Sequence, residues 1–173
     1  MLSQGCKPTK KAIENALIID DLESVKIIID SCPAFGINTE PGSLPFELMH
    51  GWFPLTTVAA KNNAVRCLRF LHEDNDDLSS VGRAALTPIA AAISNSALEA
   101  ADFLIGNGAV PEEPFEQAAQ SDCVDALEWV LSRYTKPTKS EVIAAHGNSV
   151  YLVRFDSVNF LEKHFPEYFT NDK

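Results

Sequence analysis

The side chains able to support acid–base or nucleophilic chemistry are few and far apart in this sequence. The four histidines and four cysteines are His50, His72, His146, His164, Cys6, Cys32, Cys67 and Cys123. No glycine-rich phosphate loop, nucleophile elbow or paired-histidine metal motif accompanies them. Cys123 and His146 could form a dyad, but no orienting third group or oxyanion donor is evident. We therefore predict a protein that is not an enzyme, with no catalytic residue, cofactor or bound metal.

The charge of the chain excludes another class of function. The formal net charge is −10, and acidic residues concentrate in two stretches, 73–77 and 112–116. Such a surface repels phosphate backbones, so direct binding of nucleic acid is disfavoured. Two interpretations of the acidic stretches remain open. They keep the protein soluble, or they contact a basic surface on a partner.

The elements that would position any functional side chain are clearest between Leu86 and Ala109, which reads LTPIAAAISNSALEAADFLIGNGA. Thr87 can cap a helix whose first turn accepts Pro88, because the missing N–H would have no partner there. A run of alanines follows, then a polar break and a second apolar segment. Gly108 lies where a left-handed residue ends a helix at little cost. The segment predicts a helix–turn–helix hairpin.

The same pattern recurs along the chain. The polar break at Ser96 has equivalents at Asp20, Asn63, Asp122 and Asn148. The spacings between successive breaks are 43, 33, 26 and 26 residues. Five segments in a common register indicate a repeat protein, in which each unit buries its apolar face on the next.

In its period, its Thr-Pro helix start and its terminal Asn-Gly-Ala, the chain resembles the ankyrin repeat family. The resemblance implies an all-α solenoid of about five helix–turn–helix repeats with shortened hairpins and one insertion, forming a single domain over residues 1–173. The expected repeats cover approximately 10–32, 53–73, 86–109, 114–134 and 140–165, and the insertion covers 33–52.

The repeats depart from the family pattern at two positions. The glycine that is usual at the helix–helix turn is replaced by the polar break residues, of which Asn and Asp tolerate a left-handed conformation best. The family histidine that joins successive repeats is replaced by Thr57, Ala90 or Glu116. Cys67 falls where the pattern has a buried valine, so we expect it to be a small apolar core residue.

The ankyrin resemblance implies a module that binds a partner protein through a concave face, formed by the ends of the first helices and the loop tips. Transferred position by position, the candidate partner-binding residues are Lys61, Asn62, Arg83, Leu86, Ser94, Asn95, Gln120, Ser121 and His146. In the first repeat the same positions hold Ile18 and Ile19, which the insertion is expected to cover. Trp52 and Phe53 are further candidates, either as a binding anchor or as packing of the insertion.

The composition of the chain indicates its cellular location. The apolar runs are too short to span a bilayer, and the cysteines are spread without close pairs, so we expect a cytoplasmic protein, monomeric when free and without membrane contact. The cytosol could be that of a host cell, since small diverged ankyrin proteins occur among microbial and viral factors. The predicted function is a non-catalytic adaptor, effector or inhibitor. The alternative is an acidic inhibitor that blocks a basic site on an enzyme, a site that could be one for nucleic acid.

Overall fold

A computed structural model describes residues 9–31, 55–73, 86–134 and 136–169 of the chain. All regular structure in these ranges is helical. In chain order the α-helices are α1 (Lys10–Ile18), α2 (Leu22–Ser31), α3 (Leu55–Lys61), α4 (Val65–Glu73), α5 (Pro88–Ser94), α6 (Leu98–Gly106), α7 (Pro114–Gln120), α8 (Val124–Arg133), α9 (Lys139–Tyr151) and α10 (Phe155–His164). A 3₁₀ turn at Pro166–Tyr168 follows. The expected insertion at 33–52 lies outside the described residues.

The helices form five pairs in a constant register. Each first helix ends two residues before a residue with positive φ, and each second helix begins two residues after it. The first four such residues are Asp20, Asn63, Ser96 and Asp122, with φ between 52° and 58°. The polar breaks of the first four repeats are therefore the left-handed turn residues that the sequence predicted.

The register predicted for the fifth repeat is wrong by five residues. Asn148 and Gly147 lie inside α9, and the left-handed residue is Val153, with φ 59°. A capping box between Thr138 and Glu141 starts α9 early, and Val142, Ala145 and Ser149 bury one continuous face of it. This tertiary burial outweighs the local preference of a Gly-Asn pair for a turn.

The helix pairs stack in two layers. The first helices α1, α3, α5, α7 and α9 contact one another in sequence, and the second helices lie on one side of them. Alanines at the contacts, such as Ala59, Ala92 and Ala118, are fully buried. They let the first helices approach more closely than the second helices do. The stack therefore curves with the first-helix layer on its inner side.

Side chains of the turn residues join neighbouring repeats. The Asp20 carboxylate accepts a hydrogen bond from the backbone N–H of Cys67 at 2.9 Å, and the Asn63 amide oxygen accepts one from Ala100 at 2.9 Å. The Asp122 carboxylate accepts one from Ser157 at 3.1 Å. Each bond caps the second helix of the following repeat, whose first N–H groups otherwise have no partner. These contacts supply a join between repeats where the family histidine is missing.

Candidate functional site

The strongest candidate site is a row of side-chain pairs on the first-helix layer. Each pair consists of the last residue of a first helix and the residue after it, immediately before the left-handed turn residue. From the first repeat to the fifth, the pairs are Ile18 and Ile19, Lys61 and Asn62, Ser94 and Asn95, Gln120 and Ser121, and Tyr151 and Leu152. All ten residues are exposed or half-buried. We call this set the inner row.

The central pairs are held to the ends of their helices by local hydrogen bonds. The amide nitrogen of Asn62 donates to the carbonyl of Val58 at 2.8 Å, and that of Asn95 donates to Ala91 at 2.9 Å. The Ser94 hydroxyl donates to the Ala90 carbonyl at 2.7 Å. These bonds fold the side chains back onto carbonyl groups of their own helices, and they fix the orientation of the side chains. The amide oxygens of Asn62 and Asn95 are left to accept from a partner.

The two ends of the inner row are apolar. Ile18 and Ile19 are exposed at the first repeat, and Tyr151 and Leu152 at the fifth, with Tyr151 84% exposed. The expected cover over the two isoleucines, the 33–52 insertion, lies outside the described residues. Sequence reasoning missed Tyr151 and Leu152 because it placed the fifth turn too early. The signal that could have found them was the capping box at Thr138, which starts the helix well before Ala144.

His146 does not occupy the predicted position at the end of a first helix. It lies seven residues before the fifth turn residue, at the register position that Phe115 holds in the fourth repeat. Its Nε2 is 2.9 Å from Glu162 Oε1, and its ring packs on Phe169 with centroids 4.6 Å apart. His146 therefore ties α9 to α10 and to the C-terminal segment, and it is not part of the inner row.

The remaining predicted site residues divide into two groups. Leu86 is half-buried and precedes Thr87, which caps α5 through its hydroxyl as expected. Trp52, Phe53 and Arg83 lie outside the described residues. The hypotheses that the two aromatic residues are a binding anchor or packing of the insertion therefore stay predictions.

The nucleophilic and metal-binding candidates are not assembled into a site within the described residues. Cys67 is fully buried, and desolvation together with the hydrogen bond and charge of Asp20 raises the pKa of its thiol to about 12. A thiol with such a pKa is neutral at physiological pH and is a poor nucleophile. In the described ranges, no three His, Cys, Asp or Glu side chains come together as a metal site.

A groove on the second-helix layer is a further candidate site. Arg69 and His72 on α4 line it together with Asp102 and Phe103 on α6. The Phe103 ring lies 5.0 Å from the Arg69 guanidinium and makes an edge contact with His72. Asp102 accepts hydrogen bonds from the Trp129 indole and the Arg133 guanidinium. These groups are engaged with one another, so the groove offers little to a ligand.

The fold is found in proteins of known structure. The ankyrin repeat domain of human ASB11 superimposes with a TM-score of 0.59 at 16% identity, covering 88% of this chain and 68% of that one. A chain of the complex between the predatory endopeptidase Bd0816 of Bdellovibrio bacteriovorus and the immunity protein Bd3460 gives 0.53 at 21% identity, covering 90% and 82%. No family model and no curated protein matches the sequence.

These structural likenesses and the helix pairs show that the described part of the chain is an ankyrin-like repeat solenoid built from α-helices. Within the described residues, no helix has the length and apolar character needed to cross a membrane.

Proposed function

We propose that the protein is a non-catalytic interaction module that binds a partner protein through the inner row. The observation that carries this proposal is the composition of the row. Oriented amide and hydroxyl groups occupy its centre, and exposed Ile19 and Tyr151 stand at its ends. Polar groups in fixed positions give specificity, and exposed aromatic and aliphatic side chains act as anchors in protein interfaces. The position of the row on the inner side of the stack makes one continuous surface available.

The inner row spans more than one repeat, which defines the size of the partner segment. Neighbouring helices in packed layers lie about 8–10 Å apart, so the row from first to fifth repeat is roughly 30–40 Å long. An extended segment rises about 3.3 Å per residue, so about ten to twelve residues would follow the row. We expect a segment with apolar side chains near both ends and hydrogen-bonding groups between them.

The experiment that tests the proposal changes the centre of the row. Replacing Asn62, Asn95 and Gln120 together with arginine places three long cations where the partner would dock. Because the three sites are exposed or half-buried, the melting temperature is expected to change little. A pull-down with mass spectrometry identifies a partner first, and its affinity for the triple variant should then fall by about a hundredfold or more.

A matched control keeps the test specific. Glu99→Arg with Asp125→Arg changes charge on the second helices, where both side chains are exposed. These variants should bind normally. If the control variants lose binding and the inner-row variants keep it, the partner docks on the second-helix layer and the proposal is wrong.

An acidic inhibitor of an enzyme is the second candidate function. It is supported by the net charge of −10 and by the likeness to a chain of a complex that contains an endopeptidase and an immunity protein. In this case the acidic stretches at 73–77 and 112–116 would meet a basic surface. Exposed ion pairs weaken as salt rises, because the Debye length falls to about 8 Å near physiological ionic strength. A complex that dissociates in moderate salt favours this function, and one insensitive to salt favours apolar anchoring at the ends of the row.

A further inference from the structure

The centre of the inner row offers more hydrogen-bond acceptors than donors. The hydroxyls of Ser94 and Ser121 each donate their only hydrogen to a carbonyl of their own helix, both at 2.7 Å. Asn95 uses one of its two amide hydrogens in the same way, at 2.9 Å. The Ser121 oxygen also accepts from the Cys123 N–H at 3.2 Å, which leaves it one lone pair. The groups that remain for a partner are therefore mainly oxygen acceptors.

Two further acceptors lie on α7 beside these side chains. Gln117 precedes Ser121 by four residues, which places the two side chains on one side of the helix. The side-chain oxygen of Gln117 is buried and has no hydrogen-bond partner among the described residues, a costly state that an external donor would relieve. The half-buried Glu116 carboxylate accepts from the Asn148 amide at 3.2 Å. We call Ser94, Asn95, Glu116, Gln117 and Ser121 the acceptor patch.

The third and fourth repeats provide no cation for the acceptor patch. Residues 86–132 contain eight of the 24 acidic residues of the chain and none of its 14 Lys and Arg or four His residues. The next cation, Arg133, is paired with Asp102 at 2.8 Å on the second-helix layer. Burial raises the pKa of the Glu116 carboxyl, and the neighbouring Glu113 raises it further. Both causes act against a negative charge that has no cation beside it.

The ends of the first helices add to the negative potential at the patch. Neighbouring helices α5 and α7 both end at the inner row, and the C-terminus of an α-helix carries a partial negative charge that favours cations. Lys61 is the one charged member of the inner row, and it belongs to the second repeat. Because Lys61 repels a cation at the second repeat, a partner cation is favoured at the third and fourth repeats.

From these observations we propose that the acceptor patch binds an arginine or lysine side chain of an extended partner segment. The inference rests on the proposed function, because it names the chemistry of the segment that the inner row binds. Arginine and lysine side chains carry donors and no acceptors, so they match outward-facing oxygens, whereas aspartate and glutamate would add further acceptors. A cation at this position also balances the charge of Glu116, and hydrogen bonds to an ionised group are stronger than neutral ones.

Random peptides reveal the preferred chemistry before any partner is known. A displayed library of peptides of about 12 residues, the length that follows the row, is selected on the full chain. The peptides are then counter-selected on an Asn95→Tyr, Gln120→Tyr double variant, which fills the row without changing the charge of the chain. Peptides that bind only the parent depend on the row and not on net charge. We expect arginine and lysine to be enriched near the middle of these peptides, and aspartate and glutamate to be depleted.

Two matched lysine variants locate the bound cation. Asn95→Lys and Asn107→Lys each add one positive charge, and both asparagines are exposed at a helix end and donate to the carbonyl four residues earlier. Asn95 lies in the acceptor patch, whereas Asn107 follows α6 on the second-helix layer. In fluorescence anisotropy, Asn95→Lys should weaken binding of a selected peptide about tenfold or more, and Asn107→Lys less than about twofold.

The peptide is changed in the same assay. Replacing its central basic residue with glutamine, a neutral donor, should weaken binding to the parent by a factor similar to that of Asn95→Lys. Three results would overturn the inference and leave the inner row as the binding surface. These are row-dependent peptides with acidic or neutral centres, equal weakening by the two lysine variants, and undiminished binding of the glutamine peptide. If no selected peptide depends on the row, the row does not bind an extended segment, and the proposed function fails together with this inference.

Discussion

The third and fifth repeats use the same architecture and differ in what their neighbours cover. In the third repeat, Ile93 and Leu104 are fully buried, and the exposed side chain just before the turn residue is Asn95. In the fifth repeat, Val150 stands exposed at the position of Ile93, and Leu152 replaces Asn95. The difference shows that an apolar residue at one register position is core inside the stack and surface at its end.

The largest expected difference in stability between the third and fifth repeats comes from a charge placed in the core of each. Leu104 and Leu161 occupy the same position on the second helices of the two repeats, and both are fully buried. Leu104→Asp should destabilise by several kcal/mol, of the order of a whole domain's stability, because the charge has no partner. Leu161→Asp carries the same cost, but among the described residues the fifth repeat packs against a neighbouring repeat on one side, whereas the third repeat packs against one on each side.

The two variants should therefore unfold differently. Leu104→Asp should lose most of the helical circular dichroism at room temperature. Leu161→Asp should keep the signal of the earlier repeats and lose hydrogen-exchange protection in α9 and α10 alone. If both variants lose the same amount of helix, the stack folds as one cooperative unit and the positional difference between the repeats has no energetic meaning.

The sequence predicted the turn of a repeat correctly where the turn residue is polar. Asp20, Asn63 and Asp122 are polar residues that tolerate the left-handed region, and the turns at all three were predicted correctly. Val153 carries no such signal, and the nearby Gly147 and Asn148 suggested a turn that the helix passes through. Local propensity is a weak guide where a capping box and a buried face decide the length of a helix.

The residues of the candidate site were likewise predicted correctly where the register of the repeats was predicted correctly. The four central residues Ser94, Asn95, Gln120 and Ser121 lie at the ends of their helices as the register predicted. The bonds that the turn residues make to the next repeat were not predicted, since they join residues 35 to 47 positions apart. A contact of that separation depends on how repeats stack, which no local pattern in the chain encodes.

A second prediction concerns the strained turn of the fifth repeat. Asparagine tolerates the left-handed region better than a β-branched residue does, so Val153→Asn should stabilise the protein by about 1 kcal/mol. Chemical denaturation measures the change. Val150→Asn is the control, since Val150 lies in regular helix and gains nothing there. An unchanged midpoint for Val153→Asn would mean that the turn holds no strain, and the fifth repeat would then resemble the third in this respect.

The smallest expected effect is a difference in stability between variants at two junctions between repeats. The Asn63 side chain caps α6, whereas Ser96 is too short to reach α8 in the same way, and the N-cap residue Cys123 provides no side-chain bond. Asn63→Gly keeps the left-handed turn but removes the acceptor, so it should cost about 1 kcal/mol. Ser96→Gly removes no bond between repeats and should be neutral or slightly stabilising.

The junction after the third repeat, which lacks this cap, can be strengthened by the reverse change. Ser96→Asn introduces the side chain that serves at the second turn, and its oxygen should reach the first N–H groups of α8. We expect a gain of about 0.5–1 kcal/mol in the free energy of unfolding, together with slower hydrogen exchange at the start of that helix. Asn63→Gly would then remove the side-chain cap from one junction, and Ser96→Asn would add such a cap to the other. Equal midpoints for Asn63→Gly and Ser96→Gly would instead show that stacking of the first helices, and not the caps, sets the strength of both junctions.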